Sequence, residues 1–357
     1  MSSPAQAIDE KKLHDFMMKA VGEMGAAINS ALIIVGDKLG LYKAMAGAGP
    51  MTSADLAAKT KTNERYVREW LAAQAAGGIV TYDAPTGRYT LPPEQALALA
   101  DEMSPVFLPG AHYVIAACMK DEPKITDAFR TGKGVGWHDH DSCLFVGTER
   151  FFRPNYRSHL ISEWIPAMDG VESKLKAGAR VADVGCGLGT STILMAQAYP
   201  KSQFFGFDYH QDSIDMARAA AAKAGLSDRV KFEVAKAKDY PGTGYDFVAF
   251  FDCLHDMGDP EGAARHVLQT LDSNGAWMIV EPFANDKLED NLNPIGRVYY
   301  AASTMLCTPA SLSQEVGLGL GAQAGEGRLS TLLHTAGFGR VRRAAETPFN
   351  IVLEARP

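Results

Sequence analysis

Cysteine is scarce in this sequence, and the few cysteines present do not have the spacing of a metal or redox motif. The five cysteines among 357 residues are Cys118, Cys143, Cys186, Cys253 and Cys307. They are scattered, odd in number and never arranged as C-x-x-C, which argues against a disulfide framework and against a structural zinc site. We therefore expect free thiols in a reducing compartment.

An excess of positive charge and a long apolar run are also missing. Asp and Glu total 42 against 35 Lys and Arg, and the net charge of −7 gives no electrostatic reason to expect nucleic acid or an anionic membrane as a partner. Residues 1–16 lack the basic segment and apolar run of a signal peptide, and no stretch is expected to span a membrane. The sequence predicts a cytoplasmic protein.

The composition is otherwise that of a soluble globular protein, with 46% apolar and 22% charged residues. The length allows more than one domain, each with its own core. We predict a helical dimerisation and winged-helix domain over residues 1–100, a helical connector over 101–170 and a larger domain over 171–357.

The first predicted helices, over residues 12–46, carry a broad apolar stripe that needs a partner surface. That partner is either the core of the same domain or a second copy of the chain, and the sequence leaves both open. The residues of this stripe are Leu13, Phe16, Met17, Val21, Met24, Ile28, Leu32, Val35 and Leu39.

Residues 51–91 have the pattern of a winged helix. Ser53 is a candidate helix cap, a second helix follows the turn at 60–63, and two short strands surround Pro85 and Gly87. A winged helix often binds DNA, so this function has to be weighed.

The second helix of this segment lacks the basic face that DNA binding needs. Its two arginines, Arg65 and Arg68, are balanced by Glu64 and Glu69. We therefore expect a scaffold or dimerisation role for the winged helix, and nucleic acid is not an expected partner.

The connector contains the unusual stretch GWHDHDSCLF, in which His138 and His140 precede Cys143. A metal site at His138 and His140 is one interpretation, but an H-x-H pair without further well-spaced ligands is weak evidence for one. A polar wall of a substrate pocket, a role in fixing the loop and a passive exposed loop are the other interpretations.

From residue 180 onward, strand and helix patterns alternate, which predicts a parallel sheet covered by helices on both faces. The last two strand patterns are separated by a few residues around Pro348, so we expect them to pair antiparallel. The seven strand patterns are RVADVG, QFFGFD, VKFEVA, DFVAFFD, AWMIVEP, RVRRAAE and NIVLEAR.

The turn after the first of these strands suggests a nucleotide ligand. In RVADVGCGLGT, Gly185, Gly187 and Gly189 alternate. The dinucleotide fingerprint needs its third glycine at position 190, where Thr190 stands. Asp183, ahead of the first glycine, is a second departure from that fingerprint.

Further polar residues follow the other strands. Asp208 ends the second strand, where a carboxylate can accept hydrogen bonds from both ribose hydroxyls, and the third strand leads into EVAKAKD, a usual place for adenine contacts. Together with Asp183, the G-x-G-x-G spacing and the final antiparallel pair, these strand ends resemble the class I S-adenosylmethionine-dependent methyltransferases.

The resemblance implies a Rossmann-like α/β methyltransferase domain of seven strands, with the last strand antiparallel, that binds S-adenosyl-L-methionine and releases S-adenosyl-L-homocysteine. The acidic residue and the glycines would hold the methionine part, and Tyr156 would lie on a helix that closes over the cofactor. The implied cofactor-binding residues are Asp183, Gly185, Cys186, Gly187, Asp208, Tyr209, Lys236, Ala237, Asp252 and Tyr156.

The winged helix ahead of this domain narrows the resemblance to the plant-type small-molecule O-methyltransferases and the bacterial winged-helix methyltransferases. Their catalytic histidine matches His255 in CLHDMGDP, with Asp256 beside it, whereas Met257 replaces the usual tryptophan. An imidazole titrates near the working pH and suits a general base for a hydroxyl acceptor. The alternative is a histidine that only fixes the loop.

The resemblance also bears on metal ions and on the acceptor pocket. Magnesium-dependent relatives have an Asp-Asn pair after strand five, where this chain has Glu281 and Pro282, so no metal is expected. The insertion over 283–327 is too long for an ordinary connection and predicts a lid or substrate wall. The candidate pocket residues are His138, His140, Glu281, Tyr299, Tyr300 and Cys307.

We therefore predict a homodimeric methyltransferase that acts on a small hydroxylated molecule, with His255 as general base. A ligand-sensing winged-helix transcriptional regulator and an NAD(P)-dependent oxidoreductase are the alternatives. The sequence does not decide whether O, N, S or C is methylated.

Overall fold

The structure, a computed structural model, describes residues 8–357 of the chain. Residues 1–7, which open the predicted domain 1–100, lie outside the described residues. The chain divides into two compact units, Met1–Ala116 and Ala117–Pro357.

The first unit is mainly helical and contains a two-stranded wing. The strands pair antiparallel, from Thr81 opposite Thr90 to Asp83 opposite Arg88. The winged helix predicted over residues 51–91 is therefore confirmed. The elements are α1 (Glu10–Lys38), α2 (Leu41–Met45), α3 (Ser53–Thr60), α4 (Glu64–Ala76), β1 (Thr81–Asp83), β2 (Arg88–Thr90), α5 (Pro93–Leu99) and α6 (Pro109–Thr131), which continues into the second unit.

The cap of α3 lies one residue before the predicted one. Thr52, and not Ser53, is the N-cap: its side chain accepts the N–H of Asp55, whose carboxylate accepts the N–H of Thr52. This reciprocal arrangement satisfies two backbone donors that a helix start leaves free. The prediction that Ser53 caps the helix is wrong because Ser53 is already its first residue.

Most of the apolar stripe of α1 is exposed. The exposed fraction is 64% for Phe16, 62% for Met24 and 71% for Ile28, whereas Ile33 near the end of the helix is buried. The core of the first unit, formed around residues such as Leu56 and Leu71, therefore does not cover the first half of the stripe.

The same helix corrects the expectation that no stretch is apolar and long enough to span a membrane. By length and composition alone, Glu10–Lys38 passes that test, as core helices of soluble proteins and signal sequences also do. The reason lies in residues 20–36, where Glu23 is the single charged side chain and small residues fill the positions between the large apolar ones.

The second unit begins with helices and continues with alternating strands and helices. Its helices are α7 (Cys143–His159), α8 (Ile165–Ala167), α9 (Val171–Ala177), α10 (Thr190–Ala198), α11 (Gln211–Lys223), α12 (Pro260–Thr270), α13 (Pro294–Ala302), α14 (Thr308–Leu312) and α15 (Glu326–Ala336). Its strands are β3 (Arg180–Val184), β4 (Gln203–Asp208), β5 (Val230–Val234), β6 (Tyr245–Phe251), β7 (Leu271–Pro282), β8 (Arg340–Glu346) and β9 (Asn350–Arg356).

Several short segments have other helical geometries. The 3₁₀ turns are Trp137–Asp139, Leu254–Asp256 and Leu288–Asn291, and the π-helical turns are Leu160–Trp164 and Ser303–Cys307. Three of these five segments, Trp137–Asp139, Leu254–Asp256 and Ser303–Cys307, carry predicted site residues.

The strands form one sheet in the order β5-β4-β3-β6-β7-β9-β8. The pairs from β5 to β7 are parallel, and β9 runs antiparallel to both β7 and β8. The predicted seven-stranded sheet with an antiparallel last strand is confirmed. Strand order reverses between β3 and β6, and open α/β sheets bind their ligands at the carboxyl ends of the strands beside such a reversal.

Apolar clusters cover both faces of the sheet. Successive side chains of a strand point to opposite faces, so the neighbours Phe247 and Val248 on β6 belong to different clusters. Trp164 is fully buried in one cluster and Trp277 in the other. This packing on both faces fixes the strand ends that carry the site.

Candidate active site

The three glycines after β3 differ in their surroundings, although all have positive φ values, of 75° at Gly185, 50° at Gly187 and 80° at Gly189. A Cβ added to Gly185 would lie 2.6 Å from Sγ of Cys253, and one on Gly189 would lie 2.7 Å from Cζ of Phe232. Close internal packing therefore needs these two glycines. The Cβ position of Gly187 has no atom within 4 Å, and this residue presents bare backbone to a cavity.

Asp183 lies beneath this turn and is fully buried. Its Oδ2 accepts hydrogen bonds from the hydroxyls of Ser191 and Thr192, both at 2.6 Å, so the carboxylate ties the start of α10 to β3. Burial raises the pKa of Asp183 to about 6, although the two hydroxyls oppose this rise. Its Oδ1 has no hydrogen-bond partner among residues 8–357.

Asp208 ends β4 and lies on the cavity wall. Its Oδ2 accepts the N–H of Gly187 at 3.0 Å, and its Oδ1 accepts the N–H of His210 at 2.9 Å. Burial raises the pKa of Asp208, and these backbone donors oppose the rise. Each carboxylate oxygen has two lone pairs, so Asp208 retains capacity for hydroxyl donors of a ligand.

Asp252 follows β6 with a φ of 50°, a backbone conformation that non-glycine residues rarely adopt. Its Oδ2 accepts the hydroxyl of Tyr156 at 2.8 Å, and its Oδ1 accepts Nδ2 of Asn350 at 2.7 Å. Burial, and then the nearby charge of Glu281, raises the pKa of Asp252 to about 7. Asp252 thus joins α7 and β9 to the sheet beside the cavity.

His255 lies in the turn after β6 and has 3% of its surface exposed. Its Nδ1 is 2.6 Å from Oε2 of Glu281, and its Nε2 is 3.2 Å from Oδ1 of Asp256. Burial lowers the pKa of His255, but the charges of Asp256 and Glu281 outweigh it and hold the pKa well above its ordinary value. Glu281 also accepts the N–H of Leu254 through Oε1, at 3.0 Å. Glu281 therefore fixes the ring instead of reaching the cavity.

These strand ends surround a cavity of about 510 Å³, within the range of small-molecule sites. The residues that line it from the strand ends and the nearby loops include Gly185, Cys186, Gly187, Leu188, Asp208, Tyr209, Ala235, Lys236, Ala237, Lys238, Phe251, Asp252, Cys253, Asp256 and Met257. Those from the helical segments include Trp137, His138, Phe145, Glu149, Phe152 and Tyr156, and those from the turn after α14 are Ser313, Gln314 and Glu315.

The cavity brings most of the predicted cofactor residues together. Those on its wall are Tyr156, Gly185, Cys186, Gly187, Asp208, Tyr209, Lys236, Ala237 and Asp252. Asp183 lies behind the wall, because its carboxylate is used by α10.

The predicted pocket residues are mostly not on this wall. His138 lines the cavity, but His140, Glu281, Tyr299, Tyr300 and Cys307 do not. His255 is behind the wall as well, and the adjacent Asp256 is on it. Asp256 is therefore the member of the His-Asp pair that faces the cavity.

The connector stretch with the two histidines forms aromatic contacts beside the cavity. Phe145 stacks on His210 with ring centroids 4.7 Å apart, and His138 meets Tyr209 edge-on at 6.1 Å. Trp137 packs against Phe145 at 6.1 Å. These contacts place the stretch over the end of β4, next to Asp208.

His140 has a structural environment of its own. Its side chain is fully buried, and its Nδ1 is 2.9 Å from Oδ2 of Asp121. Lys124 contacts the other oxygen of Asp121 at 2.7 Å. Nε2 of His140 has no hydrogen-bond partner among the described residues. The interpretation of the stretch as a loop-fixing element fits His140 better than it fits His138.

The insertion over 283–327 contains helices and contributes to the cavity through Ser313, Gln314 and Glu315. Nζ of Lys238 lies 2.5 Å from Oε2 of Glu315, which connects the insertion to the loop after β5. Tyr299 is buried, and its hydroxyl donates to the carbonyl of Phe349 at 2.7 Å, so it packs against the sheet. Tyr300 lies on the same helix, α13, away from the wall.

Sequence reasoning missed two residues that shape the site. Asn350 holds Asp252 from 98 positions away, and nothing in the local pattern of the final strands indicates this contact. Glu149 lies on the cavity wall and accepts the hydroxyl of Thr190 at 2.8 Å. The residue that breaks the dinucleotide fingerprint therefore has a partner on α7.

Comparison with known proteins agrees with this geometry. Residues 27–101 match the family described as Rv2258c-like winged HTH domain. Residues 175–337 match the family described as methyltransferase domain, and that range covers the glycine turn, Asp208, Asp252 and His255.

The chain contains a methyltransferase domain.

Among curated proteins, 103 residues are 35% identical to 27-O-demethylrifamycin SV methyltransferase of Amycolatopsis mediterranei, over 28% of this chain and 38% of that protein. Another relative is ajmaline N-methyltransferase of Rauvolfia serpentina, 28% identical over 34% of this chain and 42% of that protein. The chain thus spans about two fifths of the length of these curated relatives.

Solved structures share the fold of the whole chain. Human N-acetylserotonin methyltransferase, solved in complex with SAM, superimposes with a TM-score of 0.69 and 16% identity over 99% of both chains. At 16% identity the similarity establishes the fold alone.

Proposed function

We propose that the chain transfers a methyl group from S-adenosylmethionine to a small-molecule acceptor. The observation that carries this proposal is the hydrogen bond between Asp208 and the bare backbone of Gly187 at the edge of the cavity. This pair offers a ribose-binding carboxylate and open backbone at the point where an α/β sheet binds its ligand.

The charges on the wall favour a sulfonium cofactor over a dinucleotide. The carboxylates that line the cavity are Glu149, Asp208, Asp252, Asp256, Asp259 and Glu315. The two lysines on the wall are Lys236 and Lys238, and Lys238 is paired with Glu315. An excess of carboxylates attracts a positively charged ligand and repels a pyrophosphate, which supports S-adenosylmethionine.

Each part of the cofactor has candidate residues. Asp208 would hold the ribose, Gly185 and Gly187 the methionine part, and Lys236 with Ala237 the adenine. When bound, S-adenosylmethionine supplies an electrophilic methyl group. The protein would hold the acceptor in line with it, and such positioning contributes much of the rate of a transfer reaction.

We propose O-methylation with His255 as general base, because its ring is held for proton transfer. Glu281 fixes Nδ1 at 2.6 Å, which leaves Nε2 on the side of Asp256. Since Asp256 lies on the cavity wall and His255 lies behind it, Asp256 would accept the proton of the acceptor hydroxyl and pass it to Nε2 of a neutral His255 ring. The carboxylates on both sides stabilise the charged ring that results.

Regulation of transcription is not favoured as the alternative function. In α4, Arg65 pairs with Glu69 at 2.6 Å and Arg68 pairs with Glu64 at 2.9 Å. These pairs neutralise the face that would contact phosphates. We propose a scaffold role for the winged helix.

We also propose that the chain is a homodimer in which α1 packs against a second copy. Its exposed side chains Phe16, Met24 and Ile28 form an apolar surface that monomeric proteins rarely expose. The connector 101–170 and the insertion 283–327 are proposed to form the walls of the acceptor pocket. The cytoplasmic location expected from the sequence also remains a proposal.

The activity is tested with S-adenosylmethionine labelled on its methyl group and a panel of small phenols, alcohols and amines. We expect the label to appear on the oxygen of a hydroxylated acceptor, together with one equivalent of S-adenosylhomocysteine. Transfer to amines alone would overturn O-methylation and leave methyl transfer standing. Absence of transfer to the whole panel, combined with saturable binding of a DNA fragment, would favour the regulator.

A further inference from the structure

Three potential metal ligands converge beside the cavity, with Asp256 on its wall and the other two behind it. A ring nitrogen of His255, a carboxylate oxygen of Asp256 and Sγ of Cys307 all lie within 4.8 Å of one another. We call these three residues the His-Asp-Cys cluster. Two of them come from the turn after β6 and the third ends the π-helical turn Ser303–Cys307 of the insertion.

The distances within the cluster suit a zinc ion. Tetrahedral Zn²⁺ binds nitrogen and oxygen at about 2.0–2.2 Å, which separates two such ligands by about 3.4 Å. The observed separation between Nε2 of His255 and Oδ1 of Asp256 is 3.2 Å. Sγ of Cys307 lies within 4.8 Å of the other two ligand atoms, and its approach to them would complete a site with three protein ligands.

The surroundings of the histidine are those of a zinc ligand. Metal-bound histidines donate their other ring N–H to a carboxylate, which fixes the tautomer and the ring orientation. Here Nδ1 of His255 lies 2.6 Å from Oε2 of Glu281, so Nε2 is the nitrogen left to bind an ion.

The aspartate is already paired within the cluster. Its Oδ1 lies 3.2 Å from Nε2 of His255, and its carboxylate also interacts with the thiol of Cys307. A bound ion would replace these contacts when it displaces the protons of its ligands. Because Asp256 also lines the cavity, the fourth position of an ion would face the cavity.

We propose that the His-Asp-Cys cluster binds Zn²⁺, and that the bound ion stops methyl transfer by occupying Nε2 of His255. The binding part stands on the geometry alone, and the inhibition rests on the proposed function. Binding forms bonds from zinc to the Cys307 sulfur and to Nε2 of His255; the S–H proton and the proton that the charged His255 ring carries on Nε2 both pass to solvent. Burial raises the pKa of Cys307 to about 12, so the thiol is protonated until the metal displaces the proton.

The ligand set also selects the metal. A thiolate and an imidazole favour Zn²⁺ and related transition metals, whereas Mg²⁺ prefers oxygen ligands. The site therefore differs from the magnesium site that the sequence argues against, which would need an Asp-Asn pair in place of Glu281 and Pro282.

Cobalt titration of the purified full-length chain tests the binding. Co²⁺ bound through a thiolate gives a charge-transfer band in the near ultraviolet, and four-coordinate Co²⁺ gives intense visible bands. We expect both with one Co²⁺ per chain, displaced by Zn²⁺ and unaffected by Mg²⁺. The Cys307→Ser variant should lose the charge-transfer band, whereas the matched control Cys118→Ser should keep it.

The Glu281→Gln variant, which keeps all three ligands, should bind Zn²⁺ roughly 10- to 100-fold more weakly. Circular dichroism and thermal melting of each variant separate lost binding from failed folding. Unchanged cobalt spectra in a folded Cys307→Ser protein, or no cobalt bands in the unmodified chain, would overturn the site.

Inhibition of methyl transfer by Zn²⁺ is the second measurement that tests the proposal. Zn²⁺ should inhibit the unmodified chain over the same concentration range in which it displaces Co²⁺. Inhibition that does not follow this displacement contradicts the inhibitory role and leaves the binding site intact. If no methyl transfer is found at all, the cobalt spectra still report on the site, so failure of the proposed function is recognised separately.

Discussion

At the residue scale, the site depends on how carboxylates are distributed around His255. Glu281 holds Nδ1 from the neighbouring strand β7, and Asp256 stands between Nε2 and the cavity. An isolated buried imidazole would lose its proton easily, but two carboxylates stabilise the charged ring. Because these charges hold the pKa of His255 well above its ordinary value, the ring accepts the proton of a bound hydroxyl only in its neutral form.

Replacement of this ring tests its role. His255→Gln should lower kcat by about 10²- to 10⁴-fold, the range that general base catalysis contributes, because the variant has no group that takes up the proton. The measurement is the steady-state rate with labelled S-adenosylmethionine. The dissociation constant of S-adenosylhomocysteine should stay unchanged, since His255 lies away from the wall that binds it. A variant with nearly full kcat would contradict the role of His255 as general base.

Asp208 leads to a prediction about pH. Burial raises its pKa, so as the pH falls the carboxylate becomes protonated at a higher pH than an ordinary aspartate. The neutral form accepts ribose hydroxyls poorly, and S-adenosylhomocysteine binding should therefore weaken on acidification and be strongest on the alkaline side of that pKa. Calorimetry across the pH range measures this.

The isosteric variant Asp208→Asn serves as the control for this pH effect. It should bind S-adenosylhomocysteine more weakly by about 1.5–3 kcal/mol, which is roughly ten- to hundredfold in Kd, and its affinity should show little dependence on pH. An equal pH dependence in the variant and the unmodified chain would assign the titration to another group.

The positions of single site residues were predictable where a local motif contains them. Their contacts were not predictable where the partner comes from a distant part of the sequence. The sequence predicted a common site for Asp208 and Gly187 because both follow strands of a recognisable pattern, and both lie on the cavity wall. It gave Glu281 a possible contact with the acceptor, whereas the structure pairs it with His255. That pairing follows from the adjacency of β6 and β7 in the sheet, which a single sequence does not state.

At the element scale, the three alternating glycines of the turn after β3 look equivalent in the sequence but have two different functions in the structure. Gly189 permits α10 to approach Phe232, and Gly187 leaves room in the cavity. Both have positive φ, so substitution strains the backbone at either position, and only the surroundings of the side chain differ.

The paired variants Gly189→Ala and Gly187→Ala separate these functions. We expect Gly189→Ala to lower the free energy of unfolding by about 1–3 kcal/mol more than Gly187→Ala, the range found for overpacked cores, because its Cβ collides with Phe232. Gly187→Ala should instead weaken S-adenosylhomocysteine binding. Urea unfolding and calorimetry measure the two effects, and equal losses of stability and affinity in both variants would contradict this division.

Elements were predictable from periodicity, and their caps and surroundings were less so. The seven strands, the final antiparallel pair and the wing all agree with the alternation of apolar residues in the sequence. The start of α3 differed by one residue because two adjacent hydroxyl side chains, Thr52 and Ser53, compete for the cap. The insertion gave no clear periodic pattern, so the position of Cys307 beside His255 was not predictable.

At the scale of the whole molecule, α1 raises the question of what covers its apolar side. The sequence left two candidates, the core of the same domain and a second copy of the chain. Phe16, Met24 and Ile28 are exposed, so the core of the same domain does not cover them. An apolar helix face of this kind is stabilised by burial against another chain.

The dimer proposal predicts a change of mass on substitution. The double variant Phe16→Glu with Ile28→Glu should have the mass of one chain in multi-angle light scattering, whereas the unmodified chain should have the mass of two, since charges oppose burial of this face. Tyr66→Glu, on an exposed residue of α4, is the control and should leave the mass unchanged. A single-chain mass for the unmodified protein contradicts the dimer.

The central claim is that the cavity beside Gly187 and Asp208 binds adenosine linked to an amino acid and not to a second nucleotide. Calorimetric titration of the purified chain with S-adenosylhomocysteine, and in parallel with NAD, tests it most directly. We expect saturable binding of one S-adenosylhomocysteine per chain and no measurable heat with NAD. Binding of NAD without binding of S-adenosylhomocysteine would contradict the account.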